Sequence, residues 1–225
     1  MKYNHPVKKM NSAIRYVRFM IQNYPMMFFV KYLKYNKKYD KGKVTIITPT
    51  YKRLEKLREA IESVLVQTYA NWEHIIVSDS YDKNVEELIE RMNDSRIQYH
   101  YTFKLNVMGN YQRNYALKYA TGEYVLYLDD DNIIYEHCLR TMTDGFTSDD
   151  IGYVICPIKY VNTIKNPQKG FVYREIDLLN YMVRRRLVEK VWGQCVHAIA
   201  DYILIDEIRA ISKGNYIEEY IGDHR

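Results

Sequence analysis

The sequence predicts an α/β fold: a mostly parallel sheet with helices on both faces, preceded by a basic helical extension. Three observations carry this expectation. Short β-rich runs alternate with segments of helical period four times between residues 44 and 128, the rhythm of parallel strands joined by crossover helices. The last of these runs, Tyr124 to Leu128, is apolar throughout, as a strand covered on both faces must be. It stops on three consecutive carboxylates, Asp129, Asp130 and Asp131, at the carboxyl edge where open α/β sheets bind ligands.

Taken in order, residues 12 to 36 read as two helical pieces interrupted by Pro25, with Ser12 suited to the N-cap and Ile14, Val17, Ile21 and Tyr24 on one face. The second piece, Met26 to Tyr35, is aromatic and edged by lysines. It suits either peripheral membrane contact or packing on its own domain or a partner behind a basic outer face. Asn36 to Lys43 reads as a polar linker. Val44 to Thr48 is the first strand, ended by Pro49-Thr50-Tyr51-Lys52-Arg53. Leu54, Leu57, Ile61, Val64 and Leu65 follow at helical spacing. Ile75 to Val77 is the second strand, closed by Ser78-Asp79-Ser80, and Val85 to Met92 the second helix. Ile97 to Tyr101, Tyr111 to Tyr119 and Tyr124 to Leu128 complete the alternation, and Ile151 to Pro157 reads as a fifth strand. In a parallel sheet the first, second and fourth strand ends converge on one edge.

At 225 residues the chain is long enough for one substantial core. The expected divisions are a basic aromatic extension over 1–43, a ligand-binding half over 44–158 and a second half of the same domain over 159–225. Net charge is +5, but residues 1–43 hold 11 Lys or Arg against the single acid Asp40, while the remainder holds 22 against 27. The basicity therefore belongs to the extension. No nucleic-acid reader motif accompanies it, and a nucleic-acid partner is not expected. Cys138, Cys156 and Cys195 are odd in number and without CxxC spacing, which argues against a disulfide frame or a zinc site. No signal peptide is read, and no run reaches the ~18 apolar residues a bilayer span needs, so a cytoplasmic protein, soluble or peripheral on the membrane, is expected.

Three adjacent carboxylates repel one another unless a cation sits among them. A hard divalent ion, Mn²⁺ or Mg²⁺, takes one or two carboxylates and completes its shell with water and phosphate oxygens, which points to a phosphorylated substrate; a solvated acidic turn is the plain alternative. Neither GxGxxG nor GxxxxGK[ST] is present, so phosphate charge must be met by metal and side chains.

These residues resemble a known family. Val44 to Tyr51, then Ser63-Val64-Leu65-Val66-Gln67-Thr68-Tyr69-Ala70-Asn71-Trp72-Glu73, then Asn114 with Ala116 and Ala120, then Gly122-Glu123-Tyr124 running into Asp129-Asp130-Asp131, resemble the nucleotide-sugar half of family 2 glycosyltransferases of the GT-A fold. The resemblance covers about residues 43 to 158. It implies a nucleoside-diphosphate sugar donor, a UDP-sugar being favoured, a bound Mn²⁺ or Mg²⁺, and transfer of the sugar with inversion. By motif it implies that Pro49, Thr50 and Tyr51 line the nucleoside and that Asp79 and Asn114 belong to the donor site. It also implies that Asp130 reaches ribose or metal, and that Asp131, with Asp129, ligates the metal. Where the family often ends its second strand in paired acids, this chain has Ser78 and Asp79, which leaves the base open.

An inverting transferase needs a base opposite the leaving group. Asp177, His197, Asp201, Asp206 and Glu207 are the candidates, and Asp201 resembles the family's late acidic motif, where an Asp opens a helix over the acceptor. Arg184-Arg185-Arg186 reads as part of a helical stretch, gripping an acidic acceptor or lining an outer face; Trp192 suits a sugar platform or the core, and His224 an additional metal ligand or nothing. Without the Gln-x-x-Arg-Trp motif or membrane spans, addition of a single sugar to a glycan or lipid-linked acceptor is expected. Two other readings remain: a sugar nucleotidyltransferase, which would want a glycine-rich loop after the first strand, and a non-catalytic binding module recruited through the basic N-terminus.

Overall fold

The structure, a computed structural model, describes residues 38–104, 109–160, 163–165, 177–191 and 200–225. The expected helices over 12–36, Trp192 and His197 lie outside the described residues. A seven-stranded sheet forms the centre. Its members are β1 (Asp40–Thr50), β2 (Trp72–Ser78), β3 (Ile97–Tyr101), β4 (Gly122–Tyr127), β6 (Ile151–Ile155), β9 (Tyr181–Arg184) and β10 (Lys213–Tyr216), in the spatial order β10-β6-β9-β4-β1-β2-β3. β1 pairs parallel with β2 and β4, β2 with β3, and β10 with β6; β9 alone runs antiparallel, between β4 and β6.

Side chains alternate across this sheet and feed two cores. Val44, Ile46, Trp72, Ile76, Leu126 and Leu128 face one side, covered by α1 (Leu54–Leu65), α2 (Lys83–Met92) and α4 (Cys138–Asp144). Ile47, Ile75, Val77, Val125 and Tyr127 face the other, covered by α3 (Asn110–Ala116), α5 (Arg185–Val191) and α6 (Ala200–Ile211). α1 buries Leu57, Ala60, Ile61 and Val64, the apolar positions its helical period specifies. α2 is capped by Asp82, which accepts from Asn84 N–H, and ends at Asn93 in the left-handed region. A second sheet, β5-β11-β7-β8, is built from β5 (Asn132–Ile134), β7 (Ile158–Tyr160), β8 (Thr163–Lys165) and β11 (Gly222–His224).

Two expectations are corrected. The linker over 36–43 ends sooner than expected, because β1 begins at Asp40, whose N–H donates to Thr121 C=O at 2.8 Å and which pairs with Gly122. The helical stretch across Arg184-Arg185-Arg186 is instead the end of β9 and the start of α5. Arg184 is buried against Glu123 and the carbonyls of Ile151 and Ser148, and Arg185 is fully buried, donating to Lys38 C=O at 2.8 Å and to Ala120 C=O. Inserting a strand between β4 and β6 turns these guanidiniums inward, where they satisfy backbone carbonyls; of the three only Arg186 is exposed.

Candidate active site at the carboxyl edge of the sheet

The sheet edge opens into a cleft of about 570 Å³. The end of β1 contributes Pro49, Thr50, Tyr51 and Arg53, the end of β2 contributes Asp79, and the segment after β4 contributes Asp129, Asp130 and Asp131. Gly109, Gln112 and Arg113 enter at α3, and His224 enters from β11.

Local backbone geometry favours this opening. Of the three described non-glycine residues at positive φ, two stand in the loops leaving β1 and β2, Lys52 at 55° and Ser80 at 113°. Such conformations are held by their surroundings and cluster at ligand sites. Gly109 has φ 79°, and a Cβ there would lie 3.0 Å from the Pro49 ring, so glycine lets α3 approach the β1 loop.

The carboxylates are already engaged by the chain's own cations. Asp130 is nearly buried; its Oδ2 accepts from Thr50 Oγ1 at 2.8 Å and its Oδ1 from Arg53 Nη1 at 3.2 Å. The same Arg53 nitrogen donates to Asp131 Oδ2 at 2.8 Å, and Lys56 Nζ stands 3.9 Å from that oxygen. Arg113, itself buried, pairs with Asp129 and is steadied by Asn110 Oδ1 at 3.1 Å. Burial pushes the Asp130 carboxyl above its usual range, with Asp131 and Asp129 adding to the rise and Thr50 and Arg53 opposing it.

The rest of the cleft is polar and braced. Gln112 Nε2 donates to Asp79 Oδ1 and Thr102 Oγ1, both at 3.0 Å, which orients the Asp79 carboxylate. Lys104 and Lys52 stand 5.0 and 5.4 Å from the centroid of the Tyr51 ring. His224 Nδ1 lies 3.0 Å from Asp177 Oδ2, an arrangement that orients the imidazole. The strand register sets His224 opposite Asn132, the residue next to Asp131.

The cleft thus gathers Pro49, Thr50, Tyr51, Asp79, Asp129, Asp130 and Asp131. Asn114 is elsewhere: it is fully buried in α3, where its Nδ2 donates to Asn110 C=O at 3.2 Å, and it does not line the cleft. Asp201 is the second residue of α6, and its side chain lies outside the described residues. Asp206, on the same helix, is exposed. Gln112 and Arg113 precede Asn114 without a motif of their own, and Gly109 and Arg53 carry no sequence signal for a role in the site; His224, expected as an additional metal ligand or nothing, lines the cleft.

The donor set suits a hard divalent cation: Asp129 and Asp131 present partly exposed carboxylate oxygens at the cleft. Among the described residues no group of three or more His, Cys, Asp or Glu is assembled as a metal cage.

Comparison with known proteins bears on the family and the fold. The family model described as Glycosyl transferase family 2 matches residues 45–200. A Rickettsia felis protein named only as an uncharacterised glycosyltransferase is 39% identical over 95 residues, 42% of this chain and 15% of its own length. The Escherichia coli UDP-Glc:α-D-GlcNAc-diphosphoundecaprenol β-1,3-glucosyltransferase WfgD is 32% identical over 119 residues, 53% of this chain and 47% of its own. The chain therefore spans less than half the length of either relative. Among solved structures, S. aureus TarS superposes with a TM-score of 0.68 at 18% identity, covering 80% of this chain and 60% of that one. The mannosyltransferase PcManGT of Pyrobaculum calidifontis, solved with GDP-Man and Mn²⁺, gives 0.65 at 16% identity, covering 89% of this chain and 64% of that one. Both likenesses are of fold.

Proposed function

The chain belongs to glycosyl transferase family 2, and on that premise we propose that it is a metal-dependent, inverting glycosyltransferase. It moves one sugar from a nucleoside-diphosphate sugar to a hydroxyl of a glycan or lipid-linked acceptor at the cytoplasmic side. The observation that carries this is the convergence of the β1 loop, Asp79 and the Asp129–Asp131 turn on one cleft. Lipid-linked acceptors are supported by the activity for which WfgD is named. Peripheral membrane contact through residues 12–36 belongs to the same proposal; among the described residues no helix is long and apolar enough to cross a membrane.

Pro49, Thr50 and Tyr51 line the nucleoside, and Asp79, braced by Gln112, faces the base. Asp130 would reach ribose or metal, and Asp131 with Asp129 would hold Mn²⁺ or Mg²⁺. An ion held there would supply Lewis-acid neutralisation of charge on the departing diphosphate. Asp201 accepts the acceptor's hydroxyl proton as that oxygen bonds to the anomeric carbon. The bond from anomeric carbon to phosphate oxygen breaks on the opposite face, and its electron pair leaves with the nucleoside diphosphate. Arg113, buried and anchored by Asn110, adds fixed positive charge where negative charge develops.

Calorimetric titration of UDP, GDP and dTDP, each with Mn²⁺ and with EDTA, against wild type and Asp131→Ala tests the donor site. One nucleotide is expected to bind in a metal-dependent manner and to lose that binding in the variant. No binding of any nucleotide to folded protein with metal present would overturn the reading.

A further inference from the structure

We propose that Arg53 is an exchange residue that makes cation and diphosphate binding cooperative. Its guanidinium holds Asp130 and Asp131 while the cleft is empty of ligand, and passes to the phosphate oxygens when a divalent cation takes those carboxylates. The proposal rests on the nucleotide-sugar reading above and adds the coupling between its two ligands.

The geometry sets up a competition. Arg53 Nη1 touches Asp130 Oδ1 at 3.2 Å and Asp131 Oδ2 at 2.8 Å, so one guanidinium bridges two of the three carboxylates that the Asp129–Asp131 turn brings to the cleft and offsets one of their charges. A divalent ion binding Asp131 must approach the same oxygens, and two positive centres within a few ångströms repel one another. Metal alone therefore binds against the loss of the Arg53 contacts. Asp130 loses least, because Thr50 Oγ1 remains on its other oxygen at 2.8 Å.

Arg53 is the cation built to move. Its side chain is 53% exposed, against 6% for Arg113, which Asn110 anchors. It follows Lys52, whose φ of 55° marks a backbone held in a sparsely populated conformation. It also stands at the N-cap of α1 without making a side-chain cap bond, so its departure leaves no helix contact unmade. A freed guanidinium in this cleft faces a bound diphosphate, whose oxygens it can take two at a time. Whichever ligand arrives first displaces Arg53, and the second finds the rearrangement already made. Linkage requires the benefit to be the same in either order.

The test uses the full chain and the variants Arg53→Gln and Arg53→Lys, with folding checked by circular dichroism. Mn²⁺ is titrated alone and with UDP or GDP, followed by calorimetry and by the electron paramagnetic resonance of free Mn²⁺. In wild type, Mn²⁺ is expected to bind about 5-fold or more tightly with nucleotide than without. In Arg53→Gln, Mn²⁺ alone should bind more tightly than to wild type, the nucleotide more weakly, and the coupling should fall toward unity. Arg53→Lys keeps the charge without the fork and should retain part of the coupling; it decides the matter by the same readings should Arg53→Gln not fold. Unchanged or weakened binding of Mn²⁺ alone, with coupling as in wild type, overturns the exchange while leaving the donor site standing. Failure of wild type to bind Mn²⁺ or nucleotide under any condition overturns both.

Discussion

Asp131 and Asp201 carry opposite halves of the proposed reaction, and their variants separate accordingly. Asp131 is the most cation-accessible of the two carboxylates that Arg53 bridges. Asp131→Asn keeps the shape and one oxygen but removes the charge, so metal-dependent nucleotide affinity should fall by about 100-fold, read by calorimetry in Mn²⁺ against EDTA. Binding left intact would remove Asp131 from the metal site. Asp201→Asn should leave that affinity within about threefold and reduce turnover by about 100-fold or more, since a missing general base is felt only in the transition state. Turnover at wild-type level would assign the base to another residue.

At the scale of elements, the site depends on how tightly β4 lies against β1. Gly122 opens β4 with its N–H donating to Thr45 Oγ1 at 3.0 Å and to Glu73 Oε1 at 3.1 Å, and a Cβ there would stand 2.7 Å from Lys43 O and Thr45 N. These are backbone atoms and cannot swing aside. Gly122→Ala should therefore cost about 1–3 kcal/mol in urea unfolding, as overpacking does, and weaken nucleotide binding by shifting the Asp129–Asp131 turn. Unchanged stability would show that β4 has slack. Glu73 completes this joint. Burial opposes its ionisation, yet hydrogen bonds from Thr45 and Thr121 and the Lys43 ammonium outweigh that and hold the carboxyl below its usual range.

For the whole molecule, acid sensitivity follows from a buried imidazole. His74 on β2 is fully buried, its Nε2 2.8 Å from Thr48 Oγ1, and burial depresses its pKa to about 3. An unfolded histidine titrates near 6.5, so below that pH the unfolded chain binds the extra proton. Stability attributable to His74 is full above about 6.5 and falls by about 1.4 kcal/mol per pH unit as the pH drops toward 3. Glu73 adds its own loss only below its unfolded value near 4.5. Thermal melts of wild type and His74→Gln between pH 7 and 5 should show a steeper decline for wild type; parallel declines would place the acid sensitivity elsewhere.

Composition and period determined a great deal about this protein. The four strands alternating with three helices, the edge on which Pro49–Tyr51, Asp79 and Asp129–Asp131 meet, and the family were all legible, because periodicity and strand-end motifs are local signals that a parallel sheet converts into position. Tertiary structure decided what locality cannot encode. It placed β9 antiparallel inside the sheet and so turned Arg184 and Arg185 inward. It kept Asn114 in the helix interior, and it brought Arg53 and His224 to the aspartates across 77 and more residues of chain. A charged residue reads the same in sequence whether it faces water or a carboxylate, and only the pairing of distant elements decides which.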